Sequence, residues 1–494
     1  MILLAYALCT AAALIFVALS RTHRQMNTVS IGHGIAFAAI TGYIFFFVHV
    51  PVISFIVGNE YFFIDHLGLL EVAIAVIIFT LAAVYAGGYI ENLLAWHELE
   101  KESLRLFYVA WCLLLFVVIL AFFSDNLALF WIFAELSTVI SALLVAILFA
   151  RENIDAALKY IFIASVAMLF AFVGLIFLFE GSRSVLGTGT LNWTVLMAHA
   201  SLLPPGLLLA AFALIFVGFA AKSGIFPFHT WLPEAHAKAP SAVSAVLSGV
   251  LLNVGIYGII RVFAIVHQVP GVLAIAIPLV LAFGVATIAI AVISMLAEKN
   301  LKKIVAFSSI ENMGILLIGI AVSTPLAIFW VCFHVMAHAF TKSSLFLSAG
   351  ILHRQYRNHE VPTAPDDIRD VFRYQPLAAW GIIIGGLAII GMPPFPVFFS
   401  KFFILVGLGG VSLWALALVL ALLFVAAAAI GWYVIRTFSK VTPPGEPAPL
   451  EPYHTPASMK APVIVLLGIL LVLGLLFPAG GIAYLNTIVT ELMY

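Results

Sequence analysis

The sequence predicts an all-α, polytopic membrane protein of about 14 transmembrane helices, arranged as two inverted five-helix repeats with two interrupted helices. Three observations lead there. Of the 494 residues 64% are hydrophobic and only 9% are charged, with a mean hydropathy of +1.21. That balance excludes an ordinary soluble globular protein. The apolar residues fall into runs long enough to cross a bilayer, which takes about 17 to 25 residues each. The basic residues gather at alternate ends of those runs, as they do when one face of a membrane collects positive charge.

The runs lie near 2–20, 31–57, 68–90, 104–123, 126–149, 157–180, 205–228, 241–266, 270–296, 301–321, 324–352, 377–404, 411–438 and 461–487. The first has no basic leading segment and is followed by further spans, so it reads as a membrane helix rather than a cleaved signal. Of the 22 Lys and Arg residues, 17 fall at ends that share one side: Arg21, Arg24, Lys101, Arg105, Arg151, Lys159, Lys238, Lys299, Lys302, Lys303, Arg354, Arg357, Arg369, Arg373, Arg436, Lys440 and Lys460. Arg183 falls in an opposite loop, and Lys222, Arg261, Lys342 and Lys401 lie within spans. The crowded side is cytoplasmic by the positive-inside rule, which puts both termini outside the cell inner (cytoplasmic) membrane and supports an even number of spans. The longest loops, 181–204, 353–375 and 440–460, are too short to bury a core. The chain divides into 1–103 (helices 1–3), 104–266 (first repeat, helices 4–8), 270–438 (second repeat, helices 9–13) and 439–494 (helix 14).

The two repeats are marked by their fourth helices. The stretch AKSGIFPFHTWLPEAHAKAPSAVSAV (221–246) sets Lys222 at the end of an apolar run, with Pro227 five residues later. Proline removes a backbone donor and clashes with the preceding turn, so the helix breaks or kinks there. A lone lysine at such a place could simply snorkel to the interface. The second copy argues otherwise: GMPPFPVFFSKF (391–402) again joins an interruption, at Pro393 and Pro394, to a lysine, Lys401. Two interrupted helices with one cation each point to an inverted-repeat transporter.

An ionisable side chain at the centre of a membrane helix costs roughly 2.5 to 3.5 kcal/mol on insertion scales, so each needs a partner or a wet path. Glu135, in FWIFAELSTVISALLV, suits an ion pair with Lys222; the alternative is a protonated carboxyl bonded to a neighbouring helix. In FHVMAHAFTKSSLF, His334, His338 and Lys342 recur every four residues and so share one helix face. A histidine pair at that spacing could bind a metal, but the zinc-protease glutamate is missing and Lys342 repels a cation, so a proton relay fits better. Glu311 and Asn312 add polarity to the tenth span, where Ser308, Ser309 and Gly314 suit helix packing equally well. Ser248 and Asn253 cannot titrate but can hold a water chain, whereas Tyr85, Gly87, Gly88 and Tyr89 read as packing residues. Net charge is zero with no basic cluster, which argues against nucleic acid. Cys9, Cys112 and Cys332 stand alone, with no pair to hold an iron–sulfur cluster or zinc, so no cofactor or metal of its own is expected.

At these residues the chain resembles the antiporter-like proton-channel subunits of respiratory complex I and their relatives in membrane-bound hydrogenases and Mrp-type sodium/proton antiporters. The resemblance runs through Asp65 to Gly68, VYAGGY, Glu135, Ala156 to Tyr160, Lys222 to Ser244, Leu301 to Gly314, His338 to Phe346 and Gly391 to Lys401. SSIENMG and the VLLN run ending at Asn253 look most like the hydrogenase-4 type subunit. The resemblance implies proton translocation coupled to a partner's electron transfer, along Glu135, Lys222, Ser248, Asn253, His334, His338, Lys342 and Lys401. It also implies partners: other membrane subunits of the same superfamily, a peripheral redox module of iron–sulfur or hydrogenase subunits, lipid, and protons, with sodium as the alternative ion. The rival reading is a subunit of a sodium/proton antiporter. The chain departs from the pattern at Ser248 and Asn253, where other branches tend to carry histidine or lysine, and at Lys401, where relatives of this branch can carry glutamate.

Overall fold

In the computed structural model of the chain, the described residues are 2–56, 59–356, 369–441 and 453–494; Arg357 and parts of the loops expected at 353–375 and 440–460 lie outside them. The elements follow in order as α1 (Ile2–Leu19), α2 (His23–Phe47), β1 (Val52–Ile56), β2 (Asn59–Ile64), α3 (His66–Ala95), α4 (Lys101–Phe122), α5 (Leu127–Val145) and α6 (Arg151–Leu186). Next come α7 (Trp193–Ala198), α8 (Pro205–Lys222), α9 (Trp231–Lys238), α10 (Ser241–Val246), α11 (Leu252–His267), α12 (Pro270–Ala297), α13 (Leu301–Val322) and α14 (Pro325–Gln355). The chain ends with α15 (Val371–Tyr374), α16 (Pro376–Ile390), α17 (Pro396–Val411), α18 (Leu413–Phe438), α19 (Ala457–Leu475) and α20 (Ala479–Met493). A π-helical turn, Leu247–Leu251, joins α10 to α11 into one rod.

Thirteen of these helical rods are long and apolar enough to cross a membrane, and the run expected at 377–404 is divided between the shorter α16 and α17. Three sequence expectations change. The run 31–57 does not form one helix: α2 stops at Phe47, and β1 pairs antiparallel with β2, Val52 opposite Ile64, in a hairpin that an all-α reading omits. The seventh span ends at Lys222 rather than at 228. The last run is two helices, because Pro478 starts α20 afresh instead of extending α19.

Burial identifies the middle of the molecule. The apolar window of the rod Ser241–His267 is 100% buried and those of α13 and α14 are 94% buried, whereas that of α18 is 17% buried and that of α1 28%. The polar face of the fold is therefore inside, along α11, α13 and α14, and its apolar faces look outward to lipid, as a chain with this composition requires. Close helix approach is set by small residues, the usual device where water supplies no driving force. A side chain on Gly314 of α13 would begin 2.6 Å from Ile288 and 2.8 Å from the Gly284 carbonyl of α12. Gly314→Leu is accordingly expected to force α12 and α13 apart at a cost of about 1 to 3 kcal/mol or more. Thermal unfolding of the detergent-solubilised protein checks this; an unshifted transition would show that the pair does not need the glycine.

The two chain breaks share a local design. Gly224 (φ 67°) and Gly391 (φ 89°) end α8 and α16 in the left-handed region, where a side chain is disfavoured, and each is followed three residues later by a proline, Pro227 or Pro394. The cations differ in place, however: Lys222 precedes its break and Lys401 follows its own, inside α17.

Candidate functional site

The first buried group stands on α5, α6 and α8. Lys222 is the last residue of α8 and only 1% exposed, held at the negative end of the helix dipole. Its ammonium donates to Ser137 Oγ at 2.9 Å and Thr138 Oγ1 at 2.8 Å on α5. Ser137 in turn donates to the Ala134 carbonyl at 2.7 Å, so the hydroxyl accepts with one side and donates with the other. The expected ion pair between Lys222 and Glu135 is absent. Glu135 Oε1 instead accepts from Ser165 of α6, and its Oε2 is buried without a partner. The reason is helical rotation: Glu135 turns towards α6, and it is Ser137 and Thr138 that meet the lysine. The break after Lys222 is sealed by protein. Trp231 Nε1 donates to the Ala221 carbonyl at 3.0 Å, and Thr287 Oγ1 accepts from the amide of Phe226, just before Pro227. Freed backbone groups at membrane depth persist only where they are satisfied in this way.

The middle group contains what the sequence expected and one residue it did not. Ser248 shares a hydrogen bond with Ser309 of α13 at 2.9 Å. Asn253 Nδ2 donates at 3.2 Å to Glu71 of α3, a carboxyl 1% exposed. The gap between Lys222 and α14 therefore holds a titratable side chain after all. Glu71 was legible by the same rule that found Glu135, a single acid within an apolar run, in HLGLLEVAIAVII.

The third group lies on α13, α14 and α17. His334, His338 and Lys342 are all fully buried, with the two imidazole rings 6.4 Å apart and nearly parallel. His334 Nδ1 is 2.7 Å from Ser400 Oγ, next to Lys401. Lys342 donates to the Val305 carbonyl at 2.8 Å and to Ser308 Oγ. Both ring nitrogens of His338 are buried without partners. Lys401 is paired: its ammonium lies 3.0 Å and 3.2 Å from the two oxygens of Glu311 and 2.9 Å from the Ile389 carbonyl, which the break at Gly391 to Pro394 frees. Asn312 Nδ2 adds a bond to the same carboxylate at 2.6 Å. Glu311 is thus the counterion of Lys401 rather than general polarity, and Ser308 and Ser309 hold side chains of other helices while Gly314 packs.

Other buried polar groups went unassigned by the sequence, Arg261 and His236 among them. Arg261 of α11 is ion-paired to Asp65 at 2.6 Å. His236 is fully buried, stacked 4.4 Å from Phe346, with neither ring nitrogen bonded. Of the expected packing residues, Tyr85 donates to the Leu347 carbonyl at 2.9 Å, and Tyr89 lies under the guanidinium of Arg354. Among the described residues, no group of three or more His, Cys, Asp or Glu side chains converges as metal ligands would.

Three groups of acids, amines and imidazoles, each with hydroxyl or amide partners, thus lie in the interior, the first at Glu135 and Lys222, the last at Lys401. Groups of these kinds can hold and pass protons.

Known proteins share this architecture. The family described as NADH:quinone oxidoreductase/Mrp antiporter, TM, matches residues 124–430. A hydrogenase-4 component F homolog of Methylacidiphilum infernorum is 33% identical over 349 residues, 70% of this chain and 72% of that one. A chain of the membrane-bound sulfane sulfur reductase, an archaeal respiratory membrane complex, superimposes with a TM-score of 0.86 at 20% identity, over 99% of this chain and 96% of that one. A chain of respiratory complex I from Thermus thermophilus does so with a TM-score of 0.80 at 21% identity, over 100% of both. The chain belongs to the NADH:quinone oxidoreductase/Mrp antiporter membrane family.

Proposed function

We propose that this protein is the proton-translocating membrane subunit of a redox-driven complex, of the hydrogenase or NADH:quinone oxidoreductase type, and carries no redox centre itself. The observation that carries the reading is the row of buried titratable side chains. Keeping several ionisable groups at membrane depth costs roughly 2.5 to 3.5 kcal/mol each before pairing, an expense hard to account for in a scaffold. Protons enter near Glu135 and Lys222, cross by Ser248 and Asn253, and continue over Lys342, His338 and His334 to Lys401. Other membrane subunits of the same superfamily flank the chain, and a peripheral module of iron–sulfur or hydrogenase subunits supplies the driving electron transfer. The protein sits in the cell inner membrane with both termini on the outer side, where the basic loops do not lie.

Lys222→Met is the direct test, because it replaces the only amine of the first group with a side chain of similar length that cannot hold a proton. In vesicles containing the whole complex, the variant is expected to lose most proton pumping per electron while the complex still assembles. Pumping at the wild-type ratio would overturn the reading. Glu135→Gln is expected to act more mildly, since the carboxyl is not bound to Lys222 in this state and Gln can still accept from Ser165. Repeating the measurement with and without sodium decides the transported ion: dependence on sodium would favour an antiporter subunit instead.

A further inference from the structure

Lys222 and Lys342 are the amines on either side of the middle of the row, and the expected bridge between them, Ser248 and Asn253, has no group that can hold a proton. We propose that Glu71 is that group: a proton-carrying residue of α3, taking a proton from the Lys222 side and handing it to the α14 side. This rests on the proton-translocating reading above and adds a residue to it.

Three observations carry the assignment. The first is the partner. Asp65, Glu98 and Glu311 are each held by a cation, Arg261 at 2.6 Å, Arg354 at 3.0 Å and Lys401 at 3.0 Å, so a proton added there would break an ion pair. Glu71 is held by a neutral amide, that of Asn253, and can gain or lose a proton without breaking an ion pair.

The second is the amide itself. Asn253 Nδ2 donates to Glu71 at 3.2 Å and to the Gly249 carbonyl at 3.3 Å, while Asn253 Oδ1 is buried without a partner. A side chain that can donate to a carboxylate with one end, and accept from a carboxylic acid with the other, serves both protonation states.

The third is position. Ser223, the residue after Lys222, donates to the Leu252 carbonyl, adjacent to Asn253, at 3.1 Å. On the far side, a side chain built on Gly249 would meet Ser343 Oγ at 2.6 Å and the Ala339 carbonyl at 3.1 Å, the neighbours in sequence of Lys342 and His338. The Asn253–Glu71 pair therefore lies where α11 is packed between the helix of one lysine and the helix of the other. The transfer balances simply. The Lys222 ammonium loses a proton to the Glu71 carboxylate, leaving an amine and a carboxyl. The carboxyl then yields that proton to the unprotonated amine of Lys342 through water or hydroxyls, and the carboxylate is restored.

The test compares Glu71→Gln, Glu71→Asp and Asn253→Leu in vesicles of the whole complex, with protons pumped per electron measured on whatever fraction assembles, and Lys222→Met run in parallel. Gln is close to Glu in size and keeps an acceptor for Asn253. The expected result is a loss of at least tenfold in pumping rate for Glu71→Gln, with partial recovery in Glu71→Asp, and loss of a carboxyl infrared band that responds to turnover in the wild type. If Glu71 merely ties α3 to α11, Asn253→Leu and Glu71→Gln reduce assembly alike but leave the proton-to-electron ratio and the infrared response unchanged, which would overturn the proposal. If Lys222→Met itself pumps normally, the translocation reading fails; if it is blocked while Glu71→Gln pumps normally, only the role of Glu71 fails.

Discussion

In membranes carrying Lys401→Met, the protein is expected to accumulate poorly and to pump no protons. The substitution leaves Glu311, 2% exposed, without the ammonium that lies 3.0 Å from its Oε1. Breaking a buried pair from one side costs about 3 to 5 kcal/mol, because the remaining charge keeps its desolvation penalty and loses its compensation. Removing that charge as well separates the two effects. Lys401→Met combined with Glu311→Gln should restore much of the abundance, since the amide can still meet Asn312, and should not restore transport. Lys401→Glu is no substitute here: although both residues titrate, a second carboxyl would face Glu311 at contact distance, and like charges that close resist sharing a buried site. Abundance in the membrane fraction and protons pumped per electron are the two measurements. Wild-type values of both in the single variant would remove the pair from stability and mechanism alike.

How far the sequence could lead is clearest in these same residues. Lys222, Lys401 and the His334, His338 and Lys342 face stood out because a titratable side chain in an apolar helix is expensive wherever that helix lies, so residue type and context were enough. Which side chain faces which is a different matter. Glu135 and Thr138 are three positions apart on one helix, and a modest rotation of α5 decides whether the acid or the hydroxyl meets Lys222. No periodicity encodes that rotation; it follows from how α5 packs between α4 and α6. The same holds for Glu311, whose partner lies 90 residues away on α17. Glu71 differs: a single acid in an apolar run is legible in the sequence, but that it meets Asn253 of α11 from α3 depends on how the two helices pack. The hairpin of β1 and β2 was lost because an apolar run continuing past Phe47 satisfies a hydropathy window whether it is helix or strand.

Arg261→Leu is expected to lower the stability of the protein more than any substitution on its lipid-facing surface. Arg261 and Asp65 are 3% and 0% exposed, and the guanidinium does more than neutralise the acid. Its Nη2 lies 2.6 Å from Asp65 Oδ2 and donates to Tyr257 OH at 2.7 Å, and its plane lies over the rings of Trp193 and Tyr257, 4.3 Å and 4.7 Å from their centres. Tyr257 OH passes the bond on to the Phe122 carbonyl at the end of α4, while Asp65 Oδ1 caps α3 through the Gly68 amide at 2.9 Å. One side chain thus joins the start of α3, the end of α4, α7 and α11. Leucine fills part of the volume but strands Asp65, at about 3 to 5 kcal/mol, and gives up two cation–π contacts worth about 0.5 to 2 kcal/mol each. Lysine should lose less, because it keeps the charge, yet it cannot lie flat against both rings or present the same fork of donors. Adding Asp65→Asn to Arg261→Leu should recover part of the loss, since asparagine caps a helix as well as aspartate and leaves no buried charge. Thermal unfolding of the three variants beside the parent decides the matter: if Arg261→Leu melts with the parent, or if Asp65→Asn gives no recovery, the ion pair is not what holds these four helices together.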